Sequence, residues 1–401
     1  MKLLVYSHDA FGLGNIRRMV AICDYLLKAI PNLSILVLSG SPALHQLRLP
    51  EGLDYIKLPC LGRDEHGNMS VKFLRTELGD ALKLRGELIR TATVNFQPDL
   101  LLVDKKPNGL WGELQPAVDY LKRHCPQTRL VLLLRDILDS PEATMEQWHR
   151  DNYYALAETF YDQVWIVGTP DIFDAPRAYQ FPPALAAKTR FMGYIRRGGR
   201  AAIARSGAPV PRGFPQRSLV LVTPGGGGDG FRLVETYLKA QSALTADQRI
   251  VSLIVGGPEM PSPQKHALLT HIVAHPQMHW LEFTDDLASY MTAADVVVSM
   301  GGYNTVGEIL TLQKRAVIVP RTQPVEEQWI RAEQMAALNL LTAIHPDDLT
   351  PARLAQAVLH ELQTEAIAPS YSLDLNAMPR ITAALLGLVN APACPPARVA
   401  S

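Results

Sequence analysis

Glycines concentrate at three places in the chain, and each place directly follows an apolar run and precedes a helix-like segment. These three glycine turns cover residues 8–15, 223–230 and 299–305. Glycine lets a backbone approach a ligand closely, and the N–H groups at the start of a helix attract an anion. Residues of these types at these positions predict the binding of a phosphate-bearing ligand.

The third turn is the most informative, because a carboxylate follows it at helical spacing. Gly301 and Gly302 open a predicted helix, Thr305 adds a hydroxyl, and Glu308 lies one turn further on. The turn can bind a diphosphate through its backbone N–H groups, and a carboxylate can accept hydrogen bonds from both hydroxyls of a ribose. The alternative is that Glu308 is a solvated acid that complements the helix dipole.

Further polar residues follow the next apolar strand. Arg321 comes directly after that strand, and Glu327 and Gln328 begin another predicted helix. An acid next to an amide supplies acceptors and donors for sugar hydroxyls.

The second turn holds five glycines in six residues, from Gly225 to Gly230 with Asp229 among them. Because glycine loses much entropy on ordering, such a run predicts close backbone contact with a phosphate rather than a stable turn. The turn lacks the Gly-Lys-Ser/Thr ending of a P-loop, so ATPase chemistry is not expected. A flexible turn without a ligand is the alternative.

The first turn combines glycines with titratable side chains. His8 and Asp9 precede Gly12 and Gly14, and Asn15 follows them. A base next to a helix N-terminus fits catalysis, whereas a tight strand-to-helix turn without a ligand is the structural alternative.

Charged residues end two other strands of the first half. Lys105 follows one strand, and Arg135 and Asp136 follow the next. Arg17, Arg18, Lys105 and Lys106 would form a cationic mouth for an anionic or lipid-linked acceptor. A solvated surface, with Arg135 and Asp136 as a structural pair, is the alternative.

The elements that position these turns alternate between strand-like and helix-like segments, which is typical of an α/β protein with parallel sheets. Predicted strands are 3–6, 35–38, 100–103, 130–134, 164–167, 218–223, 250–255, 279–283, 296–299 and 316–319. Predicted helices are 17–29, 71–95, 111–124, 231–241, 302–312, 325–337 and 377–389.

A glycine- and proline-rich stretch divides this pattern and predicts two domains of similar size. The predicted boundaries are 1–197 for the first domain, 198–216 for a linker, 217–370 for the second domain, and 371–401 for a helix returning to the first domain and a tail.

Composition excludes several classes of protein. Lysine plus arginine (39) equals aspartate plus glutamate (39), which gives no support to a nucleic-acid binder. No apolar run approaches the ~20 residues of a membrane span. Four widely spaced cysteines fit neither a disulfide scaffold nor a zinc site, so a cytoplasmic protein is expected.

A family resemblance becomes visible at these residues. Gly-Gly-Tyr-Asn-Thr-Val-x-Glu from Gly301 to Glu308, then Pro-Arg and Glu-Glu-Gln, resembles the donor-binding half of GT-B glycosyltransferases, in particular the family 28 C-terminal domain of peptidoglycan lipid-intermediate N-acetylglucosaminyltransferases. Ser-His-Asp-x-Phe-Gly-Leu-Gly at the first turn, with Arg17-Arg18, is similar to bacterial predicted glycosyltransferases.

The resemblance implies a GT-B fold, with two Rossmann-like domains facing across a cleft, and a hexosyltransferase-type enzyme. A nucleotide-sugar, expected to be a UDP-sugar, would be the co-substrate, with no cofactor, no metal and an inverting mechanism. The implied donor-binding residues are Gly225, Gly226, Gly227, Gly228, Gly301, Gly302, Asn304, Thr305, Glu308, Arg321, Glu327 and Gln328. The acceptor side of the cleft would hold Gly12, Gly14, Asn15, Lys105, Arg135 and Asp136.

One residue departs from the family pattern and leaves the catalytic base open. Where relatives have a histidine after the loop glycines, this chain has Asn15, which cannot accept a proton at neutral pH. His8 or Asp9 must then be the base, or catalysis is weak. A nucleotide-sugar 2-epimerase and a catalytically weak nucleotide-sugar-binding protein remain alternatives, whereas an NAD dehydrogenase is disfavoured because the third glycine of its fingerprint is missing. The acceptor is unknown, and a lipid-linked one implies peripheral contact with the inner face of the membrane.

Overall fold

The chain folds into two compact units. The structure, a computed structural model, describes residues 1–7, 14–42, 44, 49–63, 68–196, 218–244, 250–284, 286–364 and 372–391. One unit consists of Met1–Gly193 with Asn376–Ser401, and the other is Tyr194–Leu375. We call them the N-terminal unit and the C-terminal unit. The predicted linker, residues 198–216, lies outside the described residues.

The N-terminal unit is built on a parallel sheet of seven strands in the order β3-β2-β1-β6-β7-β8-β9, with a separate antiparallel hairpin of β4 and β5. The strands are β1 (Lys2–Ser7), β2 (Ser34–Ser39), β3 (Leu53–Lys57), β4 (Leu61–Arg63), β5 (Met69–Val71), β6 (Leu100–Asp104), β7 (Arg129–Arg135), β8 (Gln163–Val167) and β9 (Thr189–Phe191). The central strands are buried along almost their whole length, as expected when helices cover both faces of a sheet.

The helices of this unit present apolar residues to the sheet at helical spacing. They are α1 (Gly14–Ala29), α2 (Leu78–Phe96), α3 (Gln115–His124), α4 (Pro141–Arg150), α5 (Tyr153–Phe160), α6 (Ala175–Ala178) and α7 (Pro183–Ala187). In α1 the buried apolar residues are Ile16, Met19, Ile22, Cys23 and Leu26, which form one stripe.

The C-terminal unit repeats this architecture with six parallel strands in the order β12-β11-β10-β13-β14-β15. Its strands are β10 (Ser218–Thr223), β11 (Ile250–Val255), β12 (Met278–Leu281), β13 (Val296–Ser299), β14 (Arg315–Ile318) and β15 (Thr342–Ala343). Its helices are α8 (Phe231–Lys239), α9 (Gln241–Leu244), α10 (Ser262–Val273), α11 (Leu287–Ala293), α12 (Tyr303–Thr311), α13 (Glu327–Ala337) and α14 (Pro351–Gln363).

The last helix, α15 (Ala377–Asn390), belongs to the N-terminal unit. It packs on α1, and the side chain of Arg129 in β7 donates a hydrogen bond to the carbonyl of Leu388 at 3.3 Å. In the part of the chain that the structure describes, no helix has the length and apolarity that a membrane crossing requires.

Both sheets reverse their strand order at one point, which lies between β1 and β6 in the N-terminal unit and between β10 and β13 in the C-terminal unit. In doubly wound sheets, the loops at the carboxyl ends of the two strands flanking this switch point diverge and leave a crevice where ligands bind. All three glycine turns predicted from the sequence follow strands at these two switch points.

The structure corrects the predicted starts of two helices. The segment 71–95 becomes helical only at Leu78, because residues 72–77 form an exposed stretch after the β4–β5 hairpin. The segment 111–124 becomes helical only at Gln115, because Trp111 and Gly112 adopt positive φ angles of 48° and 82°. Residues 72–77 are not helical, whereas Trp111 lies in a short 3-10 helix, Leu110–Gly112, that is distorted at Trp111 itself.

The edge strand β12 was predicted, but the edge strands β3, β9 and β15 were not. β3, β9 and β15 contain charged or short polar sequences, since an edge strand has a solvated side and needs no continuous apolar run.

Candidate functional site

The glycine turns of the C-terminal unit start from neighbouring strand ends. Thr223 at the end of β10 pairs in register with Ser299 at the end of β13. Adjacent strands of a sheet are about 4.8 Å apart. The Gly225–Gly228 loop and the Gly301–Gly302 turn therefore leave the sheet side by side at its switch point.

Gly301 must be glycine for two independent reasons. Its φ is +70°, and a Cβ on this residue would lie 2.5 Å from Cγ2 of Ile318. The next residue, Gly302, is the N-cap of α12, and a Cβ there would meet no atom within 4 Å. Gly302 offers no side-chain cap to α12, and the N–H groups at the start of a helix attract anions.

The first turns of α12 separate apolar from polar side chains. Tyr303 is buried and stacks on Tyr194, with ring centroids 5.8 Å apart. Asn304, Thr305 and Glu308 are partly exposed on the same helix. The predicted ribose ligand Glu308 thus lies one helical turn from the predicted diphosphate turn and remains accessible.

The Gly225–Gly228 loop packs backbone against backbone on a second glycine turn that was not singled out in the sequence. A Cβ on Gly227, which has a φ of +92°, would lie 2.4 Å from the carbonyl oxygen of Gly256. The N–H of Glu259 donates to the carbonyl of Gly226 at 2.8 Å. Packing against this turn therefore requires part of the glycine run. The sequence-based prediction had assigned the run to phosphate binding alone. The Gly256-Gly257 pair after a strand was the signal that could have revealed the second turn.

Arg321 connects the glycine loop to the strand end of β14. Its guanidinium lies 3.3 Å from the carboxylate of Asp229, and both side chains are partly exposed. Its backbone N–H donates to Oε1 of Gln328 at 3.3 Å. Arg321 and Gln328, both predicted donor-binding residues, thus lie at the same edge of the sheet as Gly301.

Glu327 is oriented inward and forms a buried ion pair. Its carboxylate lies 3.2 Å from the guanidinium of Arg331, and the two side chains are 4% and 0% exposed. The guanidinium also donates to the carbonyl of Gly301 at 3.3 Å and lies 5.6 Å from the centre of the Tyr303 ring. The predicted sugar contact of Glu327 stays a prediction, and Arg331 is a residue that sequence reasoning missed. The spacing of an acid and an arginine at i and i+4 was the available signal.

At the switch point of the N-terminal unit, His8, Asp9 and Gly12 lie outside the described residues. Helix α1 begins at Gly14, which is exposed, and Asn15 is partly exposed. Arg18 is not part of a cationic mouth, because it is 2% exposed and its guanidinium lies 2.7 Å from the buried carboxylate of Asp104. This pair ties the start of α1 to the end of β6.

The other predicted acceptor residues follow neighbouring strands. Lys105 adopts a φ of +66° after β6 and is partly exposed, as is Arg135 at the end of β7. Asp136 is buried and accepts a hydrogen bond from the N–H of Ile137 at 2.8 Å. Gly168 packs against it so closely that a Cβ on Gly168 would lie 2.6 Å from the Cβ of Asp136. Lys105 and Arg135 thus remain accessible, whereas Asp136 fixes the loop after β7.

A buried network holds the loop that follows Lys105. The hydroxyl of Tyr6 donates to Glu113 at 2.5 Å and accepts from the N–H of Leu110 at 3.1 Å, and the guanidinium of Arg85 lies 2.5 Å from the Glu113 carboxylate. Burial and the negative charge of Glu113 raise the pKa of Tyr6 well above its usual value, so the phenol stays protonated. The network presents Trp111 on the surface, where it is 57% exposed.

Trp111 is one of several exposed apolar residues on this face. Leu110 packs with Val71 of β5 in a small satellite core, so Trp111 and the stretch 72–77 flank the same cluster. Phe73 in that stretch is 66% exposed, and the ammonium of Lys72 lies 5.4 Å from its ring centre. We call Lys72, Phe73, Leu74, Arg75 and Trp111 the apolar-basic patch.

Comparisons with known proteins address the fold and the C-terminal unit. Residues 219–375 match the glycosyltransferase family 28 C-terminal domain. A UDP-N-acetylglucosamine–N-acetylmuramyl-(pentapeptide) pyrophosphoryl-undecaprenol N-acetylglucosamine transferase of Verminephrobacter eiseniae is 30% identical over 207 residues, which are 51% of this chain and 56% of that protein. The chain spans about half the length of the curated relatives it matches: it covers 51% and 56% of two such transferases, and 37% of an uncharacterized glycosyltransferase of Methanopyrus kandleri.

Solved structures resemble the whole chain. MurG of Acinetobacter baumannii has a TM-score of 0.62 at 15% identity, covering 96% of this chain and 100% of that chain. UDP-GlcNAc 2-epimerase of Methanocaldococcus jannaschii has a TM-score of 0.65 at 11% identity, with coverage of 96% and 100%. At such identities the likeness concerns the fold. The predicted α/β class with two Rossmann-like sheets of the GT-B type is confirmed, and so is the resemblance to family 28.

Proposed function

We propose that this chain, whose residues 219–375 form a glycosyltransferase family 28 C-terminal domain, is a glycosyltransferase that moves a sugar from a nucleotide-diphosphate donor to an acceptor hydroxyl. The observation that carries the proposal is the Gly301–Gly302 turn. It leads into a helix whose N-cap is Gly302, at a sheet switch point, with Glu308 one turn further on.

Donor binding follows from the chemistry of the residues around this turn. The N–H groups of Gly302 and the start of α12, with the Thr305 hydroxyl, bind the diphosphate. The Glu308 carboxylate accepts hydrogen bonds from the ribose hydroxyls, and Asn304, Arg321 and Gln328 complete the site. The relatives' names specify UDP-N-acetylglucosamine as their donor, which supports a UDP-sugar here.

Transfer is a displacement at the anomeric carbon of the sugar. The acceptor oxygen forms a bond to this carbon while the bond to the diphosphate oxygen breaks, with inversion of configuration. The base, His8 or Asp9, takes the acceptor proton. The negative charge of the leaving diphosphate is stabilised by the N-terminus of α12, so no metal and no further cofactor are proposed.

The acceptor is proposed to bind the N-terminal unit near Gly14, Asn15, Lys105 and Arg135. The apolar-basic patch supports an acceptor at a membrane surface, since exposed aromatic residues enter the interface of a bilayer and basic residues attract anionic lipids. The relative from Verminephrobacter eiseniae is named for a pyrophosphoryl-undecaprenol acceptor, which adds support for a lipid-linked one. Peripheral contact with the membrane follows from this proposal.

A thermal-shift screen against nucleotide-sugars, followed by an assay with the stabilising donor, tests the function. A donor at 100 times its dissociation constant should raise stability by about 2.7 kcal/mol. Sugar transfer that requires an acceptor and survives excess chelator is the expected result, and loss of transfer in chelator would contradict the metal-independent mechanism. Conversion of the donor to its 2-epimer without an acceptor would establish the epimerase instead. Binding without transfer, epimerisation or donor hydrolysis would identify a binding protein.

A further inference from the structure

We infer that Arg331 is a positioning residue for the donor diphosphate and acts through the peptide between Gly301 and Gly302, an inference that rests on the proposed function. Arg331 is fully buried in α13 and cannot contact a ligand itself. Its guanidinium donates to the carbonyl of Gly301 at 3.3 Å. It therefore contacts the back of the turn whose front is proposed to bind the diphosphate.

The geometry of a trans peptide connects the two sides. Because a trans peptide is planar, its carbonyl and the following N–H point in opposite directions. With the Gly301 carbonyl directed at the buried guanidinium, the N–H of Gly302 is directed away from Arg331, at the start of α12. Gly301 has no side chain and a φ of +70°, so the hydrogen bond from Arg331 selects the orientation of this peptide.

Two further contacts fix the guanidinium. Its second nitrogen lies 3.2 Å from the Glu327 carboxylate, and its central carbon, Cζ, lies 5.6 Å from the ring centre of Tyr303. Tyr303 is itself held by stacking on Tyr194. Because Glu327 neutralises the guanidinium, the pair supplies orientation rather than net positive charge. A buried ion pair does not by itself indicate a contribution to the stability of the fold. We therefore assign the Arg331–Glu327 pair the role of aligning the Gly301–Gly302 turn.

The experiment measures the affinity of UDP and of uridine for the wild type and for three variants by calorimetry. Arg331→Lys keeps a charge beside Glu327 but loses the planar fork that reaches two partners. The double variant Arg331→Met with Glu327→Gln removes both charges, so that no carboxylate is left buried and unpaired. Arg315→Met is the matched control, since Arg315 also donates to carbonyl oxygens, those of Glu361 and Thr364, but lies at the opposite end of β14.

The expected result is that both Arg331 variants bind UDP about 10- to 100-fold more weakly, the scale of a hydrogen bond to a charged group, while uridine affinity changes less than about two-fold. The control should bind both probes as the wild type does. Equal losses for UDP and uridine, or unchanged UDP affinity in either folded variant, would overturn the positioning role. A wild type that binds neither probe would instead contradict the proposed donor site, and the inference would fall with it.

Discussion

The two switch points of this protein are built on the same strand order but carry different chemistry. In the C-terminal unit, the strand ends at β10 and β13 lead into glycine turns, and backbone groups dominate. In the N-terminal unit the first turn also contains glycines, but among the described residues Lys105 follows β6 at the switch point and Arg135 and Asp136 lie at the end of the neighbouring strand β7, so charged side chains are prominent. Under the proposed function, the same sheet topology would bind the diphosphate in one unit and present acceptor-specific groups in the other.

A buried arginine–carboxylate pair contacts each switch point. Arg18 pairs with Asp104 and ties α1 to β6, while Arg331 pairs with Glu327 and ties α13 to the Gly301 turn. The first pair connects a helix to a strand, whereas the second reaches a peptide group of the proposed binding turn. The C-terminal unit should therefore control donor affinity, and the N-terminal unit should control the transfer rate.

The largest effect is expected for His8→Ala, which should lower the transfer rate by roughly 10²–10⁴-fold, the contribution of a positioned general base. Donor affinity should change little, because His8 belongs to the N-terminal unit. Steady-state kinetics together with donor titrations separate the two quantities.

Asp9→Asn is the matched comparison for this variant. It should lower the transfer rate less than His8→Ala does if Asp9 only orients the loop. If His8→Ala transfers sugar at a near wild-type rate while Asp9→Asn is inactive, the roles are reversed and Asp9 is the base. A drop in donor affinity in His8→Ala would contradict the proposal that the C-terminal unit controls donor affinity and the N-terminal unit controls the transfer rate.

A smaller effect, on affinity, is expected for Glu308→Ala. Loss of the ribose hydrogen bonds should weaken nucleotide-sugar binding by about 1–3 kcal/mol without unfolding the protein. Calorimetric titration with the identified donor measures this value. Glu333→Ala, an exposed acid on α13, is the control and should bind the donor normally. Unchanged donor affinity in the Glu308 variant would remove this residue from the site.

The smallest effect is expected for Phe73→Ser in the apolar-basic patch. Replacing one partly inserted aromatic side chain should weaken binding to vesicles of phosphatidylglycerol and phosphatidylcholine by about 1 kcal/mol, or roughly five-fold. Co-sedimentation at several salt concentrations measures it, since attraction by Lys72 and Arg75 should fall with ionic strength. Donor affinity should not change.

Val273→Ser is the control for this variant, because Val273 is 84% exposed but belongs to the C-terminal unit. It should bind vesicles as the wild type does. Equal loss of vesicle binding in both variants, or none in Phe73→Ser, would show that the patch does not contact lipid.

The sequence by itself determined the α/β class, the central strands and the positions of the glycine turns. Buried parallel strands are continuous apolar runs, which is why β10 and β11 have the predicted bounds. Gly301, Gly302 and Glu308 were recognisable because turn glycines and a helical spacing are local properties. The resemblance to family 28 rested on the same local pattern.

Only the tertiary structure decided which side chains face the site and which hold it. The contact between Arg331 and Gly301 joins residues 30 positions apart, and the contact between Arg18 and Asp104 joins residues 86 apart. Local sequence patterns do not reveal such pairs, because a charged residue is expected to be exposed to solvent unless its partner is known. The exposure of Phe73 and Trp111 was not predicted for the opposite reason. Apolar residues at helical spacing are expected in a core, and only the tertiary structure shows that these two are exposed.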